Sequence, residues 1–277
     1  MEVTKVTTPT IPARLEKDAN TRRLPWPRMA WVTWRHHRIA LGGVAVFLGA
    51  LAVWLWIAGL QLHHAYAAAI DCHPAGSTAC SELVINFDAT GGILKGGFVL
   101  QPVPALIGAF VGPLVLAYEF ETGTFRYAWT QGFGRWRWTL AKLVMLGVAV
   151  TAIAGAFSVL VSWYYQPYLA PGRLYSAASP LHHWLFDLRG VAFAAWTLAA
   201  FAMGALAGML IRRVVPAIVA TLAGYTVLAI VVGDVLRADY QPASHFWPVQ
   251  GIAGGGLVAL SALLIAATVR LVHRRAA

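Results

Sequence analysis

Charged side chains are scarce in this chain. They make up 12% of its 277 residues, against 59% apolar, where a soluble domain carries about a quarter charged residues. That shortage excludes an ordinary water-soluble globule and points to lipid as the solvent. Acidic residues are scarcer still, with 11 Asp and Glu against 21 Lys and Arg, for a net charge of +10. Such a surplus raises the question of nucleic acid, but a nucleic-acid reader gathers its basic residues on one face or along one helix. Here they fall in short runs at the ends of apolar segments, as topology signals do. No nucleic-acid partner is expected; the lipid bilayer is.

Other absences narrow the chemistry. There are two cysteines, Cys72 and Cys80, with no CxxC pair and no Cys/His zinc spacing. No G-x-x-x-x-G-K-[S/T] phosphate loop occurs, since Lys142 is followed by Leu143. Neither HExxH nor GxSxG is present. Internal repeats and low-complexity tracts are missing too. An intramembrane transferase or a quinone-reducing subunit needs buried acids, bases or cofactor ligands, and no histidine falls inside an apolar run to hold a haem. Ion-coupled carriers need ionisable groups at membrane depth, and no apolar run carries a charge near its centre. No enzyme activity, cofactor or metal is therefore expected in this chain.

What is present is six runs long enough to cross a bilayer, for which roughly 20 apolar residues suffice. They cover about 39–60, 98–118, 139–163, 190–211, 214–236 and 251–272. An even number puts both termini on one side. Seventeen Lys and Arg lie on that side and four on the other, so the positive-inside rule makes the termini cytoplasmic. Residues 1–25 read as a polar cytoplasmic leader, and 26–277 as a single six-helix transmembrane domain. The first run and the leader before it are too long for a signal peptide, so an uncleaved anchor is expected. The segment 25–40, "PWPRMAWVTWRHHRIA", sets Trp31 and Trp34 three apart on a helical face among Arg28, Arg35 and Arg38. It suits an N-terminal interfacial amphipathic helix, or else a cytoplasmic extension of the first span.

On the outer side, a loop over 61–97 holds Cys72 and Cys80, which are expected to form a disulfide in an oxidising compartment. Six of nine histidines, His63, His64, His73, His182, His183 and His245, also fall outside. Adjacent histidines on a helix point about 100° apart and no carboxylate spacing completes a site, so headgroup contact is expected rather than metal. Within the membrane, Pro102, Pro104 and Pro113 predict a bent second span, broken near its outer end. Gly108 and Gly112, Gly204 and Gly208, and Gly251 and Gly255 each permit close helix approach.

The connection between the second and third spans is the most informative stretch. Four residues could join them, yet "EFETGTFRYAWTQGFGRWRW" occupies 119–138. Thr122 or Thr124 can cap a helix start, and Gly123 allows a sharp bend before it. Glu119 and Glu121 lie at that end, where negative charge is favoured. From Phe125 to Gln131 the chain has room for about two turns, with Phe125, Ala128 and Trp129 on one face and Arg126 and Thr130 on another. Gly132 and Gly134 end it, and an Arg/Trp collar of Arg135, Trp136, Arg137 and Trp138 follows. The pattern predicts a short amphipathic helix parallel to the membrane on the cytoplasmic side, either a mechanical coupler or a plain anchor for the loop.

The run 104–143 resembles the corresponding stretch of ABC-2 type permeases, most of all the actinobacterial six-span export permeases. The resemblance is carried by Glu119, Glu121, Gly123, Thr124, Arg126, Trp129, Thr130, Gln131, Arg135, Trp138 and Lys142, and departs at Tyr118, where Arg is the expected residue. It implies a membrane permease subunit of an ATP-driven exporter. The segment 122–131 would be a coupling helix for a separate cytoplasmic ABC ATPase, which would bind the ATP and Mg²⁺. The permease would work as a dimer with a second copy or a paralogue in the cell membrane. The fold class expected is thus an all-α membrane protein, with six transmembrane helices, the N-terminal interfacial helix and the coupling helix. Apolar spans suit a hydrophobic or amphipathic substrate. The competing reading is a non-transporting membrane anchor or sensor subunit for a cytoplasmic partner.

Overall fold

Six helices of the computed structural model are long and apolar enough to cross a membrane, and no strand occurs among the described residues. The structure describes residues 26–74, 76–95, 97–122, 135–170, 183–235 and 246–275. The chain is a multi-pass membrane protein. With an even number of crossings, one face of the bundle carries both ends of the chain; it is called the terminal face below, and the other the distal face.

Helix α1 (Trp26–Ile70) is one unbroken element of 45 residues. At 1.5 Å per residue it is about 68 Å long, about twice the thickness of the hydrocarbon core. The interfacial helix expected before the first span is therefore not a separate element; the extension reading describes it. The physical reason is local. Pro27 sits in the first turn, where proline is tolerated, and neither Pro nor Gly interrupts the chain again until Gly42. The helix also overruns the expected end of the first span, taking residues 61–70 out of the distal loop. That loop holds a second helix, α2 (Thr78–Gly91), whose N-cap Ser77 accepts a hydrogen bond from Cys80 N at 3.2 Å. A disulfide joins Cys72 and Cys80, with Cα atoms 5.6 Å apart. Phe87 of α2 is buried and lies against the rings of Tyr66 and Tyr168.

Turns over 98–102 precede α3 (Val103–Thr122). The prolines divide the work: Pro102 and Pro104 flank its first residue, where a missing N–H costs nothing, and Pro113 alone lies inside the helix. Helix α4 (Arg135–Tyr164) returns to the distal face. There the hydroxyls of Tyr164 and Tyr165 donate to the carbonyls of Gly91 and Leu94, fixing the loop after α2. Burial, reinforced by Tyr164 and Tyr168, pushes the Tyr165 phenol well above its ordinary pKa. His63 of α1 stacks on Trp163 of α4 at 4.6 Å and its Nε2 lies 3.1 Å from the Trp163 carbonyl. Two short helices, α5 (Gln166–Leu169) and α6 (His183–Leu188), lie in the next distal connection.

Helix α7 (Gly190–Ile211) is the axle of the bundle, packing on α3, α4, α8 (Val214–Ile230) and α9 (Phe246–Arg275). Its composition explains this. Ala192, Ala195, Ala199, Ala200, Ala202 and Ala205 are buried, so small side chains on every side let four neighbours approach. The closest approach is to α3. A Cβ added to Gly112 would stand 2.6 Å from the Phe201 carbonyl oxygen and 2.8 Å from Gly204 Cα, and one on Gly204 would stand 2.7 Å from the Gly108 carbonyl oxygen. The pairs Gly108/Gly112 and Gly204/Gly208 thus meet each other inside one chain. Gly251 and Gly255 of α9 meet nothing. Several buried hydroxyls on the spans bond within their own helices, as Thr197 does to Phe193 and Ser261 to Leu257, so they cost little in an apolar setting, while Ser158 of α4 donates across to the Gly190 carbonyl at 2.8 Å.

One buried amide at the distal face was not foreseen. Gln250, expected just before the sixth span, lies in the first turns of α9 at 1% exposure. Its Oε1 accepts from Val191 N and Ala192 N, and its Nε2 donates to the Phe186 and Arg189 carbonyls. It therefore caps the N-terminus of α7 from another span, using all four of its hydrogen bonds. Gly190 beside it has φ +62, and a Cβ there would meet Oε1 at 2.7 Å, so glycine is required twice over. Arg189 stacks 5.3 Å from the Phe246 ring, and burial lowers its pKa. Gln250→Leu is expected to cost about 2–4 kcal/mol by orphaning these groups, read as a drop of roughly 5–10 °C in the melting midpoint of the detergent-purified chain.

Candidate functional site

The chain between α3 and α4, residues 123–134, lies outside the described residues. So do Gly123, Thr124, Phe125, Arg126, Trp129, Thr130 and Gln131, and with them the expected short helix over 122–131. The two ends of the bridge are described, and their geometry is specific.

Helix α3 does not stop at Tyr118. It runs on through Glu119 and Glu121 to Thr122, because Phe120 still packs against the core. The two glutamates therefore occupy the last turn of a helix, where the backbone dipole disfavours negative charge. Each is compensated from another span. Lys142 Nζ of α4 donates to Glu119 Oε1, with side-chain exposures of 3% and 15%. The ammonium also stands 4.9 Å from the centre of the Trp138 ring one turn earlier, a favourable cation–π position. Lys142 is thus enclosed between helices, so it is an internal tie rather than part of a surface. The partner of Glu119 comes from α4, where the resemblance alone led one to look for an Arg at position 118.

Glu121 accepts from Val214 N at 3.4 Å. That N–H belongs to the first turn of α8, where a carboxylate complements the positive end of the dipole. Between the two glutamates, Phe120 meets Arg212, whose guanidinium lies 5.6 Å from the ring centre. Arg212 caps α7 in the left-handed region at φ 59, its N–H donating to the Gly208 carbonyl at 3.0 Å. Successive residues on a helix project about 100° apart. Three neighbours at the end of α3 consequently reach three different elements: α4, the α7–α8 corner, and the start of α8.

This matters because α3 and α4, though consecutive, touch little along their lengths; each packs mainly on α7. The Glu119–Lys142 pair closes the space between them at the terminal face. On the far side of the bridge Arg135 begins α4, and Arg137 stacks over the exposed Trp136 ring at 5.3 Å. Displacing the bridge would pull on α3 and α4 together, and through Glu121 and Phe120 on α7 and α8. Sequence reading had found Glu119, Glu121 and Lys142 one at a time; it missed Phe120, Arg212 and Val214, for which no local signal exists.

A second feature is an apolar cleft of about 310 Å³ between α1 and α3, lined by Gly43, Val44, Phe47, Ile107, Phe110 and Leu114 among others. Its lining lies within the helix segments long and apolar enough to span the membrane.

No curated protein and no solved structure matches the chain. A family model, ABC-2 membrane transporter related, matches residues 45–237. That stretch runs from the first span to just past α8. It takes in the bridge, both glutamates, Lys142 and the α7–α8 corner. Spanning well over half of the chain, the match shows that this protein belongs to the ABC-2 membrane transporter related family, membrane transport components without an ATPase domain of their own.

Proposed function

We propose that the chain is the permease subunit of an ATP-driven exporter in the plasma membrane, with its terminal face in the cytoplasm. A separate ABC ATPase docks on the bridge between α3 and α4, and the permease works with a second copy or a paralogue. The observation that carries this reading is the triple linkage of Glu119, Phe120 and Glu121 to α4, the α7–α8 corner and α8. A force applied to the bridge has a path into four spans. Thr122, Gly123, Thr124, Phe125, Arg126, Trp129, Thr130, Gln131 and Arg135 form the docking segment; Glu119, Glu121 and Lys142 pass its movement on. The excess of Lys and Arg on the terminal side supports the orientation. The cargo is hydrophobic or amphipathic, moved outward, in keeping with spans that carry no charge near their centres and an apolar cleft between α1 and α3.

The test is ATP turnover by the co-purified complex. Arg126→Ala and Trp129→Ala are expected to lower turnover roughly tenfold, the scale of a typical coupling free energy. Variants that bind the ATPase normally and leave its turnover unchanged would instead mark the chain as an anchor or sensor subunit.

A further inference from the structure

The terminal face holds a second feature that the coupling reading does not use. Where the first turn of α4 meets the last turns of α9, Trp136, Val269, Arg270, His273 and Arg274 line a cleft of about 380 Å³. Arg270 and Arg274 are one helical turn apart and His273 lies on the same side; all three are exposed. Arg137 stands at the rim, stacked on Trp136.

No carboxylate among the described residues balances these charges. At this face Glu119 is held by Lys142 and Glu121 by the α8 N-terminus. Asp187 accepts from Trp196, and Asp88 pairs with Lys95, both on the distal side. Two guanidinium groups, with a third at the rim, therefore face an open cleft.

The walls say which anion. Val269 and Trp136 stand at the ends of the apolar spans of α9 and α4, so the cleft sits where hydrocarbon gives way to headgroups. Its lining is part cationic and part apolar. A soluble ion would use only the first, whereas an anionic lipid meets both. We propose that this cleft binds the phosphodiester headgroup of an anionic phospholipid, with Arg270 and Arg274 on the phosphate oxygens and Trp136 and Val269 against the glycerol and the first acyl carbons. Arginine suits the role because its planar fork matches phosphate, and basic pockets between membrane helices are recognised sites for anionic headgroups. The site does not depend on the transport reading.

The experiment uses the full chain, purified in detergent and stripped of lipid, and titrated with phosphatidylglycerol under native mass spectrometry. Phosphatidylglycerol is expected to bind at least tenfold more tightly than phosphatidylcholine. The R270Q/R274Q variant should lose on the order of tenfold in affinity, whereas R38Q/R213Q, with the same loss of charge at the same face, should stay within about twofold. The R270K/R274K variant keeps the charges and should bind more tightly than R270Q/R274Q though less tightly than the native chain, which guards against a variant that merely misfolds. Glycerol 3-phosphate should not compete. Equal loss in both glutamine pairs, no preference over phosphatidylcholine, or full competition by glycerol 3-phosphate would each overturn the lipid assignment. So would unchanged lipid binding in R270Q/R274Q combined with loss of ATPase co-purification, which would give the cleft to the protein partner.

Discussion

Lys142→Met is expected to destabilise the chain by about 3–5 kcal/mol, and Glu119→Leu by a comparable amount. Either change leaves one charge enclosed between α3 and α4 with no partner, and breaking a buried pair from one side carries a penalty of that size. Replacing both with apolar residues, as Glu119→Leu with Lys142→Met, removes the charges altogether, and an apolar pair of similar volume is often neutral. The double variant should therefore recover to within about 1 kcal/mol of the native chain, giving a strongly non-additive cycle. Thermal or denaturant unfolding of the detergent-purified variants measures it. On the coupling reading the double variant is also informative in another way: it restores the fold without the tie, so ATP turnover should remain poorly stimulated although the protein is stable. Additive single effects would show that Glu119 and Lys142 act independently.

The second large effect is at the crossing of α3 and α7. Gly112→Val places a Cβ within 2.6 Å of the Phe201 carbonyl oxygen and 2.8 Å of Gly204 Cα. Both are backbone atoms, so no side chain can swing away and the helices must separate. Overpacking of this kind costs about 3 kcal/mol. Here it acts on the axle of the bundle, so the corner at Arg212 shifts as well. Gly255→Ala, on a helix face where an added Cβ meets nothing, is the control and should not destabilise the chain, gaining up to about 1 kcal/mol from helix propensity. Comparing the two melting midpoints under one set of detergent conditions decides the matter. Equal tolerance would mean that the close contact does not hold the spans together.

Glycine spacing alone did not separate these cases. The pairs at 108/112, 204/208 and 251/255 look alike in sequence, because spacing reports only that a helix can be approached. Which helix approaches depends on the whole bundle, and only the first two pairs find each other. The six spans were legible because their signal is summed over about twenty residues each. Boundaries were less so. Phe120 keeps α3 helical past the first glutamate, and the absence of a breaker keeps α1 helical from Trp26, neither of which a hydropathy window weighs. Helix α2 hid inside a segment read as loop, although Ser77 is a good cap.

The candidate site divides in the same way. Glu119, Glu121 and Lys142 stood out as charges at the edges of apolar runs. Their partners could not be read off, since Lys142 and Glu119 lie 23 positions apart and Val214 lies 93 from Glu121. Gln250 was the least visible, a single amide before an apolar run, whose importance comes entirely from the four groups that converge on it.

Access to the bridge tests the central claim most directly. The two native cysteines are joined to each other, so Gln131→Cys introduces a single reporter thiol. A membrane-impermeant maleimide should leave it unlabelled on intact cells and label it once the membrane is opened, with protection when the ATPase is bound. Labelling on intact cells would put the bridge outside, beyond the reach of any cytoplasmic ATPase, and would contradict the account.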